Sequence, residues 1–450
     1  MLAAVVIALV VALAGGGSPV VPAPGAQARQ PVSVGDRGAV DRVQARPDAD
    51  AAGEDAFTAP ESAQHAIDTP HFRLHWTSET DDATTPQFVK LAAEVFEEVW
   101  DVQVDELGWP APLPDDGLGG NDLVDVYFVD HGDGAYGYAA ADLESVCRQC
   151  DGAHGYLVLD NDYVGFAPDP EGALRSTAAH EFSHLVQFGM AYYGEAWAYE
   201  ATAVWLERAT FGDVDARTQY LVDFAAHPDL PLTDFGTDSG GFDRSYGAYV
   251  WNVWLADRFG ASIVREAWEA AAATDHHVMG GYATALAARG SLLERELVAF
   301  TAATAAWEDG GFPGEPTAYP AVSRAGPLAS GTTTTLVVDH TAAHVADVQA
   351  DGEEVVVTVR GPKFVAGGIA LVASAGGEVL TSVDDTLFDG EASVTLPATA
   401  GVESVTLVVV NADPALAEPK PPGTDRPRYL FDDVEYLVGV DVDPGRPVKR

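Results

Sequence analysis

Ser176-Thr177-Ala178-Ala179-His180-Glu181-Phe182-Ser183-His184-Leu185-Val186-Gln187-Phe188 reads as one helix. His180 and His184 stand four residues apart, so a helical pitch places both imidazoles on one face, one turn from each other. Two imidazoles in that relation can bind a single metal ion, and Glu181, beside the first, can reach a water in an open coordination position. Histidine is scarce, 12 of 450 residues, so three such positions in register are informative.

An ion that does chemistry needs three protein ligands and one open position, so a third donor is required. Glu195-Ala196-Trp197-Ala198-Tyr199-Glu200-Ala201-Thr202-Ala203-Val204-Trp205-Leu206-Glu207 is a second helical run. Ala203, three residues after Glu200, lets this helix approach the first closely and bring the Glu200 carboxylate to the ion. The expected ligands are therefore His180, His184 and Glu200. Glu207, two turns beyond Glu200, is read either as a carboxylate that orients a ligand histidine or as an ordinary helix-surface acid.

His180-Glu181-x-x-His184 followed by Glu200-x-x-Ala203 resembles the gluzincins, zinc peptidases with these two motif helices. The gluzincin pattern puts a further Glu at position 204, which is Val204 here. Over about residues 70 to 310 the chain is also similar to secreted, poorly characterised bacterial proteins described as metallopeptidases. That likeness rests on His71-Phe72-Arg73-Leu74-His75-Trp76, Asp125-Val126-Tyr127, Tyr136-Gly137-Tyr138, Leu159-Asp160-Asn161-Asp162-Tyr163 and the two motif helices.

The resemblance implies an α+β, zincin-like catalytic domain with a small sheet above the zinc helix. It implies peptide-bond hydrolysis with one Zn2+ and with Glu181 as general base. A donor to the tetrahedral oxyanion is also expected, commonly Tyr or His; Tyr246 is the first candidate, Tyr249 the second, and His276 or His277 the histidine alternative. An edge strand that pairs with substrate backbone is expected at Tyr156 to Asp160.

Met1 to Ala14 is almost wholly apolar, and Gly25-Ala26-Gln27-Ala28 offers a small-x-small cleavage site before Arg29. Residues 1–28 are thus read as a secretory signal peptide and the mature protein as extracellular. The apolar run is short for a bilayer and no later stretch qualifies, so no transmembrane anchor is expected. Residues 29–66, rich in Ala, Asp, Pro and Gln, form a disordered linker or a pro-segment.

Net charge is -45, which argues against nucleic acid or an anionic membrane as partner; a protein or peptide substrate is what the resemblance implies. Cys147 and Cys150, in an exported chain, read as a local disulfide. Asp160-Asn161-Asp162 offers oxygen ligands for a structural Ca2+, although such residues in a loop are commoner as turn formers and caps.

Phe72, Leu74 and Trp76 alternate as in a strand, with His71 and His75 on the other face. Pro86 to Leu107 is amphipathic and helical. Leu123 to Val129 reads as a strand, and Arg244 to Phe259 and Leu292 to Trp307 as helices. The catalytic domain is set at 67–310 and a Pro/Gly-rich linker at 311–326. Residues 327–450 carry short strands and are read as an accessory β-sandwich: Thr332 to Val338, Val355 to Val359, Ile369 to Ala375, Ala392 to Leu396 and Val402 to Val410, with Val434 to Val440 returning as an edge strand.

Two other readings compete. A di-iron carboxylate site would use Glu181-x-x-His184 but needs a second Glu-x-x-His, which the sequence lacks. An exported zinc-containing binding or adhesion protein without activity would have no need of Glu181.

Overall fold

The computed structural model describes residues 6–9, 65–131, 135–142, 152–192, 194–214, 217–235, 243–274, 277–307, 319–350, 352–376, 378–416 and 429–443. Cys147, Cys150 and His276 lie outside these residues, as do most of the expected signal peptide and 29–66 segment and part of the 311–326 linker. The chain packs as two compact units, residues 1–192 with 206–216, and residues 193–205 with 217–450. The protein is mixed α and β, with several sheets and a β-rich C-terminal part.

In the first unit, β1 (Val6–Leu9), β2 (His65–Asp68), β3 (Phe72–Trp76), β4 (Val124–Val129), β5 (Gly137–Ala141) and β6 (Gly155–Asp160) form one sheet in the order β1-β5-β6-β4-β3-β2. β3, β4 and β6 run parallel, with antiparallel strands outside them. Val126 to Val129 and Tyr156 to Asp160 are buried residue after residue, so both faces of the central strands are covered.

This geometry corrects one expectation. Tyr156 to Asp160 is no edge: β6 is hydrogen-bonded to β4 on one side and β5 on the other, and has no open backbone to offer a peptide. On β3, His75 is a packing residue. It is 7% exposed, stacks on Tyr127 with ring centroids 4.4 Å apart, and its Nε2 lies 2.8 Å from Asp125 Oδ1.

Helix α1 (Pro86–Trp100) starts at Thr85, whose hydroxyl accepts the Phe88 N–H at 3.1 Å, and its continuation widens into a π-helical turn, Asp101–Glu106. Helix α2 (Pro170–Ala191) starts the same way: Asp169 Oδ1 accepts the Gly172 N–H at 2.9 Å and Pro170 takes the first turn, where no amide hydrogen is needed. From Thr177 to Phe188 every residue of α2 is buried. A helix enclosed on all sides lies in the interior, and α2 packs on β5, β6 and α1. Phe182 meets Phe72 and Trp100 at 5.5 and 5.8 Å.

The second unit begins its helical part with the first residues of α3 (Ala196–Thr210), followed by α4 (Leu221–Ala226), α5 (Asp243–Gly247), α6 (Tyr249–Phe259), α7 (Ser262–Ala272), α8 (Val278–Ala288) and α9 (Leu293–Thr304). The expected single helix from Arg244 to Phe259 is two pieces. Ala248 closes the first with its N–H on Arg244 O and starts the second by accepting from Trp251 N. α7 and α8 cross closely because position 281 is glycine; a Cβ there would sit 2.1 Å from Ala267 O.

The β-rich part holds β7 (Ala325–Leu328), β8 (Thr332–Val338), β9 (Ala343–Val348), β10 (Glu354–Arg360), β11 (Gly367–Ala375), β12 (Glu378–Thr386), β13 (Glu391–Leu396), β14 (Ser404–Asn411) and β15 (Val434–Asp443). They form a four-stranded sheet, β13-β10-β15-β8, and a five-stranded sheet, β12-β11-β14-β9-β7. Val357, Val394, Tyr436 and Val438 of the first sheet join one buried cluster with Ile369, Leu371, Leu407 and Val409 of the second. β15 is not the expected edge strand, since it pairs with both β10 and β8.

Helix α9 lies on β11, β12 and β14, close enough that a Cβ at Gly368 would meet Val298 Cγ2 at 2.6 Å. Buried Arg244 fastens the preceding loops by donating to Phe224 O at 3.0 Å and Leu230 O at 2.6 Å.

Candidate metal centre

His180 and His184 project from α2 with ring centroids 4.7 Å apart and planes at 87°. Their ligand atoms and a carboxylate oxygen of Glu200 all lie within 4.8 Å of one another, and all three residues are buried. Among the described residues this is the one such group of three or more His, Cys, Asp or Glu side chains.

The far side of each imidazole is occupied. His180 Nδ1 lies 2.7 Å from Glu207 Oε1, and the other oxygen of Glu207 accepts the Ser176 hydroxyl. His184 Nδ1 lies 2.7 Å from Gln187 Oε1. A carboxylate and an amide oxygen only accept, so both Nδ1 atoms carry hydrogen and each ring offers Nε2 as its ligand atom. Ser183 Oγ donates to His180 O at 2.6 Å and Gln103 Nε2 to Ala179 O at 2.8 Å, which fixes the backbone around the first histidine.

Two imidazole nitrogens and one carboxylate oxygen are a donor set suited to a divalent transition ion that keeps a position open. The residues present thus fit a metal ion. Glu181 follows His180 directly in α2 and is fully buried.

Glu207 is the residue the sequence left undecided, and the structure puts its carboxylate against the His180 ring. Replacing it by glutamine keeps the shape and removes the charge behind the imidazole. Zinc affinity, read by competition with a chromophoric chelator, is expected to fall about tenfold in Glu207→Gln. An unchanged affinity would make Glu207 a helix-pairing acid only.

Tyr163 was not anticipated. It is fully buried and takes a left-handed backbone conformation, φ 53°, uncommon for a bulky side chain, while Asp160 Oδ1 accepts its N–H at 2.6 Å. Burial holds its hydroxyl pKa well above the usual value; Thr177 opposes the shift, and the charges of Asp160 and Glu181 add to it. Thr177 lies one turn before Glu181 on α2, so this tyrosine flanks the helix on the Glu181 side. Nothing in the local sequence signals a buried tyrosine at positive φ.

The Asp160-Asn161-Asp162 loop is tied up in its own turn. Asp160 accepts the N–H groups of Asp162, Tyr163 and His131, Asp162 accepts that of Val164, and Asn161 donates to Asp81 O and Ala83 O. Those are the contacts of a turn former.

The tyrosines proposed for oxyanion stabilisation lie in the second unit. Tyr246 is 5% exposed in α5 with its ring 5.1 Å from Tyr220, and Tyr249 is fully buried at the start of α6. His277 precedes the first turn of α8, its ring 6.1 Å from that of Tyr429. Among the described residues no helix is long and apolar enough to cross a membrane.

No family model matches this chain, and no curated relative does. Among solved structures it is similar to the pre-peptidase C-terminal domain of the collagenase of Bacillus anthracis, at 11% identity over 26% of this chain and 97% of that one, with a TM-score of 0.17.

Proposed function

We propose that this chain is a secreted zinc metallopeptidase whose residues 67–310 form a zincin-like catalytic domain and residues 327–450 an accessory β-sandwich. One observation carries the reading: His180, His184 and Glu200 converge in the interior while the neighbouring Glu181 stays outside the ligand set. A site built only to hold structure usually takes four protein ligands and needs no extra carboxylate beside them.

His180, His184 and Glu200 would hold the ion. When bound, it supplies Lewis acidity, polarising a peptide carbonyl and acidifying water. Glu207 and Gln187 keep the two imidazoles in the tautomer that presents Nε2. Glu181 accepts a proton from the attacking water and passes it to the amine that leaves. Tyr246, or Tyr249 in its place, is the proposed hydroxyl donor to the oxyanion. The reading calls for no nucleic acid and no membrane anchor.

The test is hydrolysis by the purified chain of denatured casein and of a peptide library, with products read by mass spectrometry. Cleavage is expected with equimolar zinc, lost on chelation and regained when zinc is restored. A protein that holds zinc and cleaves nothing would instead be an exported zinc-containing binding or adhesion protein.

A further inference from the structure

A second buried polar cluster surrounds Glu195, which the hydrolytic reading leaves unused. Glu195 stands five residues before Glu200 and is 1% exposed. Its carbonyl accepts the N–H groups of Ala198 and Tyr199 at 3.0 and 3.2 Å, so it begins the helix that carries Glu200. Its carboxylate is held from two sides. Oε2 accepts the N–H groups of Val278 and Met279, at 2.6 and 3.2 Å, in the first turn of α8, and Oε1 accepts the hydroxyl of Tyr429. An acid at a helix N-terminus meets both unpaired amides and the positive end of the helix dipole.

Tyr429 belongs to the β-rich part, 234 residues away in sequence. Its ring stacks on His340 with centroids 3.5 Å apart and planes at 12°. His340 is clamped in turn: Nδ1 donates to Asp432, and Nε2 accepts the Thr233 hydroxyl at 2.7 Å. Burial keeps the Tyr429 hydroxyl protonated and therefore a donor. Further along α3, Asn252 Nδ2 donates to Ala201 O at 3.1 Å and Trp268 Nε1 to Thr202 Oγ1 at 3.0 Å. The two residues after Glu200 and the start of its helix are thus all tied down within the second unit.

A ligand carboxylate must be held to within about 0.5 Å of its working place, and groups behind the ligands set that tolerance. We infer that Tyr429 is a positioning residue for the metal centre: through Glu195 it fixes the start of α3 and so the Glu200 carboxylate. The β-rich C-terminal part is then a support of the metal site. This rests on the metal-site reading given above and adds to it a residue that touches neither ion nor substrate.

The experiment uses the full chain and zinc alone as the probe. Zinc affinity is measured by chelator competition in wild type, Tyr429→Phe, Glu195→Gln and Tyr436→Phe, with the melting temperature of each apoprotein and the visible spectrum of each cobalt-substituted form. Tyr429→Phe keeps the stacked ring and loses one oxygen. It is expected to bind zinc about tenfold more weakly, with a shifted cobalt spectrum. Glu195→Gln should move both readouts the same way.

Tyr436→Phe removes a hydroxyl from the same part, at a buried residue near the start of β15, and should change neither. If Tyr429→Phe and Glu195→Gln melt lower while affinity and spectrum match wild type, the cluster is structural only and the inference is overturned. Zinc binding without peptide cleavage, together with the tenfold loss, sustains the inference and removes only the hydrolase reading. Wild type that binds no zinc overturns both.

Discussion

His184→Ala is expected to lose the metal. The substitution leaves one imidazole and one carboxylate, and the drop in zinc affinity should exceed the roughly 100-fold upper range for removing a group behind a ligand. An ion that binds only the folded chain adds stability as RT ln(1 + [L]/Kd), and the variant is expected to forfeit that gain. A second loss accompanies it. His184 is fully buried and Gln187 Oε1 loses its imidazole partner, a loss of stability that is present with or without the ion. The two losses separate by comparison with His75→Ala, which also removes a buried histidine from the first unit and leaves Asp125 without that partner. Thermal melts with and without zinc should show wild type and His75→Ala each stabilised by the ion, the second from a lower start, and His184→Ala indifferent to it. Zinc stabilisation of His184→Ala equal to that of wild type would remove this histidine from the ligand set.

Why were some of these features visible in the chain while others were not? The metal group follows from local rules: a four-residue spacing on a helix and a carboxylate on the next helix need no knowledge of the rest of the molecule. The strand positions depend on distant partners. Along β15, Val434, Tyr436, Val438 and Val440 are buried, while Glu435 and Leu437 are exposed. An antiparallel strand with one wet face shows that alternation wherever it stands in its sheet, so the sequence could not separate an edge from the interior. For β6 the signal was there. Tyr156-Leu157-Val158-Leu159 is continuously apolar, the mark of a strand covered on both faces, and it argued against an edge from the start.

His75 illustrates the opposite case. Its place in the alternation is right, and only the covering of the second face by Tyr127 and its neighbours decides that it is a packing residue and not a surface one. Tyr429 lies beyond sequence reasoning altogether, since its partner is 234 residues away and Tyr429 itself belongs to no motif.

Glu181→Gln tests the chemistry apart from the binding. Glutamine matches glutamate in volume, so a fully buried side chain in α2 is exchanged without a cavity, and neither ligand imidazole loses the contact behind it. Zinc affinity should therefore equal that of wild type. The amide cannot take a proton from water, and a positioned general base contributes about 10^2 to 10^4 in rate. The expected result is a fall in kcat of about 10^3 with KM little changed, because the proton moves only in the transition state. His184→Ala and Glu181→Gln would then be equally inactive for different reasons, one without its ion and the other with it. If Glu181→Gln cleaves peptides as fast as wild type, the base lies elsewhere; if it loses zinc as well, Glu181 supports the ligands and the division of labour between the two helices fails. Retained zinc with lost cleavage is the one combination that a site made only for binding cannot produce, since such a site has no turnover to lose.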